Sequence, residues 1–155
     1  MIWPMPPKIK IYEALGAIGD RRIELDGDNA KLYSSSGNKF YIIRYNSENN
    51  EIYSNDNASF FVGYLGYPAI AFLFARGLLQ YDVKIAEALT GIKWKDINQR
   101  HKNNFEKTML EVNSILESKG FNPEKVADDT SKIMEHLESL DLQKPLTLIK
   151  PPKGY

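Results

Sequence analysis

The order of apolar and polar positions divides the chain into a strand-rich first half and a helical second half. Apolar residues recur with helical spacing from Ile9 to Ile18, and Gly19 and Asp20 end this segment. Short segments with aromatic and β-branched content, separated by turns rich in Gly, Asp, Asn and Ser, occupy residues 22–25, 30–34, 39–45 and 51–53. They predict an antiparallel meander of three or four strands.

The second half begins with a segment that has no polar face. Pro68 suits the first turn of a helix, and residues 69–75 are all apolar. A helix that is apolar all round is buried, so we expect this one at the centre of the domain. Asp82 is placed to cap a second, shorter helix over Val83–Leu89, which Gly91 ends.

Two amphipathic helices are expected after this point. Asp96 is placed to cap a long helix that runs to Gly120, and Asn122 and Pro123 are residue types that begin a further helix. The first apolar stripe contains Ile97, His101, Phe105, Met109, Val112 and Leu116, and the second contains Val126, Thr130, Ile133, Leu137 and Leu140. The short link between the two helices predicts an antiparallel pair.

These elements predict one α+β domain over residues 1–155, with a small antiparallel β-meander, a central apolar helix and an antiparallel C-terminal helix pair. Residues 1–8 are an extended, proline-containing lead-in. Residues 9–80 form the meander and the central helix, and residues 81–143 form the helical part. Residues 144–155 contain further prolines, and we expect an extended, mobile tail there.

Composition narrows the possible classes of protein. Twenty Lys and Arg residues balance twenty Asp and Glu residues, whereas proteins that bind polyanions without specificity usually carry a basic excess. The chain has no cysteine, which removes disulfides, thiol catalysis and thiolate metal sites. No segment has the pattern of a signal peptide or a membrane span, so we expect a cytoplasmic protein without membrane contact.

No combination of residues indicates a catalytic centre or a metal site. His101 and His136 lack the HExxH spacing, and we expect neither to bind a metal. The polar segments at 26–29 and 55–57 have the residue types that tight turns select, and residues 34–37 lack the pattern of a nucleophile elbow or a P-loop. The sequence therefore predicts no catalytic residue, no metal and no cofactor, and it favours a protein that is not an enzyme.

The loop at residues 54–67 allows a structural and a functional interpretation. It contains Asp56, Tyr64 and Tyr67, together with two spaced glycines ahead of the central helix. In the structural interpretation, which we favour, Asp56 is a turn or cap residue and the tyrosines pack over the sheet. In the functional one, these three side chains bind a ligand.

The strand at residues 39–45 is a second candidate surface. Lys39 and Arg44 stand beside aromatic residues that would form a stacking platform for bases, namely Phe40, Tyr41, Tyr45 and Tyr53. Aromatic residues are also good strand formers and core residues, and the balanced charge favours that interpretation.

The order of segments within residues 10–80 matches that of a known zinc-binding family. The strand GNKFYIIR at 37–44 precedes Ser54-Asn55-Asp56, then Gly66-Tyr67-Pro68, then the apolar helix AIAFLFA at 69–75. This order resembles the SWIM domain, a β-meander and a helix that bind zinc through C-x-C and C-x-H. The ligand positions here hold Ser54, Asp56, Gly66 and Pro68, so the metal function does not carry over. The resemblance implies a metal-free scaffold, with aromatic packing in place of zinc, that binds DNA or protein.

The sequence thus favours an intracellular binding or adaptor module, with a protein partner ahead of nucleic acid. One alternative is a small enzyme or small-molecule-binding protein that uses the loop at 54–67. Another is a nucleic-acid-binding domain that uses Lys39 and Arg44. A deep pocket at the loop would favour the first alternative, and a contiguous basic and aromatic face would favour the second.

Overall fold

The computed structural model describes residues 1–153. Helix α1 (Ile9–Gly19) precedes four strands, which are β1 (Ile23–Asp26), β2 (Asn29–Tyr33), β3 (Phe40–Asn46) and β4 (Glu51–Ser54). A π-helical turn (Ala58–Val62) leads to α2 (Tyr67–Ala75), α3 (Val83–Ala88), α4 (Trp94–Arg100), α5 (Phe105–Ser118) and α6 (Pro123–Ser139). The predicted α+β fold, with its meander in the N-terminal half, is confirmed. No helix in residues 1–153 is long and apolar enough to cross a membrane.

The four strands form an antiparallel sheet in the order β1-β2-β3-β4. Its inner face carries the buried residues Ala30, Leu32, Tyr41, Ile43 and Ile52. Alternate positions face outward, and among them are Lys31, Phe40 and Arg44. This alternation follows from the pleat of a strand, which sends successive side chains to opposite faces.

Helix α2 lies between the inner face of the sheet and α1. It contacts β1, β3 and β4 on one side and α1 on the other, and residues 68–74 are all buried. This placement confirms the central helix that its apolar sequence predicts. Helix α1 in turn approaches α3 closely at Gly19, where an added Cβ would lie 2.1 Å from the Ala86 carbonyl oxygen.

The prediction of one long helix from Asp96 to Gly120 is wrong, because this segment forms the two helices α4 and α5. The chain leaves α4 at His101, and Lys102 and Asn103 adopt positive φ angles of 54° and 60°. Asn104 then caps α5, its Oδ1 accepting a hydrogen bond from the Lys107 amide at 3.3 Å. Asn tolerates the left-handed region and caps helices well, so local chemistry interrupts an apolar period that continues across the break. Asp96 lies in the first turn of α4 rather than at its cap.

The C-terminal helix pair follows the prediction more closely. Asn122 caps α6, with its Oδ1 accepting from the Glu124 amide at 2.9 Å, and Pro123 is the first helical residue. The apolar stripes are buried at Val112, Leu116, Val126 and Leu137, and they are half-buried at Phe105, Met109, Ile133 and Leu140.

Both chain ends are attached to the sheet. In the extended lead-in, the Trp3 indole is 4% exposed and donates a 2.8 Å hydrogen bond to the Ile52 carbonyl. The C-terminal tail, described to residue 153, has no helix or strand and bends at residues 146–147. The Tyr53 hydroxyl and the Asn55 side-chain amide donate hydrogen bonds to its backbone carbonyls, and its expected mobility stays a prediction. Residues 154–155 of the predicted tail lie outside the described residues.

The buried stripe of α5 gives a prediction for stability. Leu116 is fully buried, so Leu116→Ala should lower the free energy of unfolding by about 2–5 kcal/mol. Leu110 in the same helix is 69% exposed, and Leu110→Ala should change it by less than about 0.5 kcal/mol. Urea denaturation measures both, and equal midpoints for the two variants would contradict the orientation of α5.

The phenol of Tyr53 gives a prediction for pH dependence. Burial raises the pKa of Tyr53 from its ordinary value of 10.0 to about 12. The folded protein therefore holds this proton more tightly than the unfolded chain, so the stability that Tyr53 contributes is complete below about pH 10 and is lost as the pH rises to about 12. Across this range the unfolding free energy of the wild type should fall more steeply than that of Tyr53→Phe. Chemical denaturation at stepped pH measures both slopes, and parallel curves would contradict a buried phenol.

Candidate functional site

A cleft of about 260 Å³, called the polar cleft below, opens between α1, α4 and the loops that follow β2 and β4. Side chains of α1, α2 and α4 and of both loops line it, among them Lys10, Glu13, Ser34, Asp56, Tyr67 and Asn98. Such a concave site with several convergent polar groups is the usual form of a small-molecule site.

A buried ion pair forms the α1 side of the polar cleft. Lys10 Nζ lies 2.8 Å from Glu13 Oε2, and the two side chains are 12% and 6% exposed. Burial alone would lower the pKa of Lys10, but the Glu13 carboxylate more than offsets this and the pKa is raised. The ammonium also lies 5.2 Å from the centre of the Phe105 ring. Lys10 is therefore charged at neutral pH.

Asn98 lies opposite this pair on α4. The residue is 8% exposed, and its Nδ2 lies 3.4 Å from Glu13 Oε1, which is a long hydrogen bond. Its Oδ1 is buried and has no hydrogen-bond partner among the described residues. A buried amide oxygen without a partner costs free energy, so packing alone does not account for this arrangement.

Asp56 lies at the edge of the polar cleft, where its own loop satisfies its carboxylate. Oδ1 accepts from the hydroxyls of Ser54 and Ser59, both at 2.7 Å, and Oδ2 accepts from the Ser59 amide at 3.2 Å. The Ser59 hydroxyl in turn accepts from the Gly66 amide at 3.0 Å. Burial raises the pKa of Asp56, although the hydrogen bonds from Ser54 and Ser59 favour the carboxylate. This network closes the loop and fixes the start of α2.

Gly66 is required by this network. A Cβ at position 66 would lie 2.0 Å from Asp56 Oδ2, so no side chain fits between the loop and the helix. The geometry agrees with the structural interpretation of Asp56 as a turn and cap residue.

The two tyrosines of the loop take different positions. Tyr67 lines the polar cleft, and its ring meets that of Tyr41 edge to face at 6.2 Å. Burial raises the pKa of Tyr67, so its hydroxyl remains a hydrogen-bond donor at neutral pH. Tyr64 is half-buried nearby but does not line the cleft. It lies close enough to Lys10 for the two side chains to affect each other's pKa.

Lys39 and Arg44 lie outside the polar cleft. Lys39 precedes β3, and its pKa is lowered by desolvation and by the nearby Lys95, which does line the cleft. Arg44 projects from the outer face of the sheet.

The aromatic residues near Lys39 and Arg44 do not lie together as an exposed stacking platform, which was the alternative that the balanced charge disfavoured. Tyr41 and Tyr45 face the core, because strand alternation places them on the face opposite Phe40. Tyr53 shares the outer face with Phe40, but it is 4% exposed and stacks on Trp3.

The residues that build most of the polar cleft were missed by sequence reasoning. Lys10, Glu13 and Asn98 come from helices that we interpreted by their apolar periodicity alone. A signal was present in α1, since Glu13 lies between Tyr12 and Ala14 in a helix that is otherwise almost entirely apolar. A charged residue in such a helix is either paired or functional.

The fold and the polar cleft define an α+β protein with a candidate small-molecule site. Within residues 1–153, no group of three or more His, Asp or Glu side chains is placed to hold a metal ion. The chain belongs to the family described as "Uncharacterised conserved protein UCP014422", whose model matches residues 3–143. No curated protein and no solved structure matches the chain.

The Asp56 network gives a prediction that separates its two interpretations. Asp56→Ala leaves the Ser54 and Ser59 hydroxyls without their acceptor, so the free energy of unfolding should fall by about 2–4 kcal/mol. The neighbouring Asn57 is exposed and makes no capping hydrogen bond through its side chain, and Asn57→Ala should change it by less than about 0.5 kcal/mol. Urea denaturation measures both. A neutral or stabilising effect of Asp56→Ala would instead favour a carboxylate held for ligand binding.

Proposed function

We propose that this protein binds a small polar molecule in the polar cleft. The observation that carries the proposal is the buried Lys10–Glu13 pair beside Asn98, whose Oδ1 lacks a partner among residues 1–153. The desolvation penalty of burying an ion pair offsets much of the coulombic attraction between its charges, so such a pair contributes little to stability. A ligand that donates to Asn98 and pairs with the exposed side of Lys10 or Glu13 explains the arrangement better than folding alone.

The lining supports a particular chemistry of ligand. Lys10 and Tyr67 offer donors, while Glu13 and Asn98 offer acceptors. The volume of about 260 Å³ is below the range of roughly 300–1,000 Å³ usual for drug-sized ligands. These features fit a small molecule with both donors and acceptors, such as a zwitterion or an amide, better than a polyanion.

The proposal includes two further points. A cytoplasmic location is supported by the absence of cysteine. The SWIM-like origin of residues 10–80 is supported by the close approach of Ser54, Asp56 and Gly66, which stand at the positions of zinc ligands in that family. Here the Asp56 carboxylate fills the space between the loop and the helix. The adaptor function favoured by the sequence stays a prediction.

The test combines ligand binding with the stability of one variant. Asn98→Leu removes an amide that has an unsatisfied oxygen and one long hydrogen bond, so the free energy of unfolding should change by less than about 1 kcal/mol. In a thermal-shift screen of amino acids, nucleosides and small amides, a ligand at 100 times its Kd should stabilise the wild type by about 2.7 kcal/mol. Asn98→Leu should abolish that shift.

Asn49→Ala is the matched control, because Asn49 is exposed at the β3–β4 turn and lies outside the cleft. It should keep the full thermal shift. Strong destabilisation by Asn98→Leu without any ligand response in the wild type would show that Asn98 has a structural role, and it would contradict the proposal.

A further inference from the structure

The C-terminal tail crosses the outer face of the sheet beside β4. The Tyr53 hydroxyl donates to the Ile149 carbonyl, and Asn55 Nδ2 donates to the Lys150 carbonyl at 3.2 Å. Both acceptors are backbone atoms, so these two side chains are able to hold an extended segment with little regard to its sequence. Recognition of an extended chain through its main-chain groups is a recurring mode of peptide binding.

The tail fills this surface incompletely. A groove of about 400 Å³ remains where the tail meets β3 and β4, lined by Arg44, Tyr53, Thr147 and Ile149 among others. We call it the tail groove. Leu146, the largest apolar residue near the start of the tail, is fully exposed rather than inserted into it. The tail therefore leaves part of the groove empty, and its Leu146 makes no buried apolar contact.

Arg44 adds an exposed cation to the tail groove, and the acidic Glu24 and Asp26 line a neighbouring surface cavity with it. The residue is exposed and forms no ion pair in the part of the chain that is described. The strand register places it opposite Tyr53, whereas the acidic Glu51, which also lines the groove, pairs with Asn46 farther along the strand. A carboxylate beside Tyr53 would therefore meet a cation.

The tail also lies outside the residues that the family model matches. The family match ends at residue 143, so the strands that form the floor of the groove lie within it and the tail that covers them lies beyond it.

We propose that the β3–β4 side of the tail groove, which includes Arg44 and Tyr53, binds an extended segment of another protein that carries a carboxylate near Arg44. In its absence the tail covers this side of the groove. The tail is then a tethered competitor, with an effective concentration in the millimolar range that weakens every binding partner. The inference uses no residue of the polar cleft and does not rest on the proposed small-molecule function.

The experiment measures binding of a fluorescein-labelled peptide of residues 144–153 to the full chain by fluorescence anisotropy. Ile149→Asp places a charge where the half-buried Ile149 side chain packs, so it should release the tail and uncover the β3–β4 side of the groove. It should raise the affinity for the peptide about tenfold or more over the wild type. Leu146→Asp is the matched control in the same tail, and it should have no effect because that side chain is fully exposed.

A second arm tests the chemistry of the partner. A peptide with Thr147→Asp should bind the Ile149→Asp chain more tightly than the unaltered peptide does. Adding Arg44→Gln to the protein should remove that gain, and adding Tyr53→Phe should weaken both peptides by loss of the hydrogen bond to the backbone. Circular dichroism confirms that each variant is folded.

Three outcomes would overturn the proposal. Equal affinities of the wild type and Ile149→Asp would make the tail a structural element rather than a competitor. A gain from Thr147→Asp that survives Arg44→Gln would remove Arg44 from recognition. Concentration-dependent dimerisation of the wild type in light scattering, abolished by Ile149→Asp, would identify the occupant as the tail of a second copy.

Discussion

The burial of α2 on all of its sides is the constraint on which the arrangement of the molecule depends. A helix of residues such as Phe72 and Leu73 has no face for solvent, so it needs a cover on both sides. The inner face of the sheet supplies one cover and α1 supplies the other. Helix α1 is then itself nearly buried, and its two charged residues, Lys10 and Glu13, are desolvated together at its edge. The polar cleft lies where these charges reach the surface.

The loop before α2 shows how the chain supports this buried helix. The carboxylate of Asp56 is fully enclosed, which is costly unless its oxygens are satisfied. The Ser54 and Ser59 hydroxyls and the Ser59 amide satisfy them, and Ser59 also binds the amide of Gly66 at the helix cap. These contacts favour the structural interpretation of Asp56. The groups that the proposed ligand would contact belong to α1 and α4 instead.

The sheet separates the two candidate binding surfaces. The polar cleft includes Tyr41, which projects from the inner face, and the tail groove includes Arg44, which projects from the outer face. Their chemistries differ accordingly. The cleft is small and presents buried donors and acceptors, which suits a small molecule. The groove is open and places the Tyr53 hydroxyl, which donates to a backbone carbonyl, near the exposed cation of Arg44, which suits an extended peptide. The polar cleft and the tail groove share no lining residue. A variant that tests one of these sites therefore leaves the other unchanged.

Features that depend on local chemistry were predictable from the amino-acid sequence. The turn at Gly27, the caps at Asp82 and Asn122 and the apolar period of α2 each follow from residues that are close neighbours in the chain. The break at 101–104 was also encoded locally, in Asn103 and Asn104, but the continuing apolar period concealed it. Which side chains meet depends on the packing of distant segments. Lys10 and Asn98 are separated in the chain by the whole sheet and by α2 and α3, and Tyr53 meets Ile149 from the far end of the described chain. Such contacts depend on how α1, α4 and the tail pack, and packing is set by volumes and distances that no periodicity records.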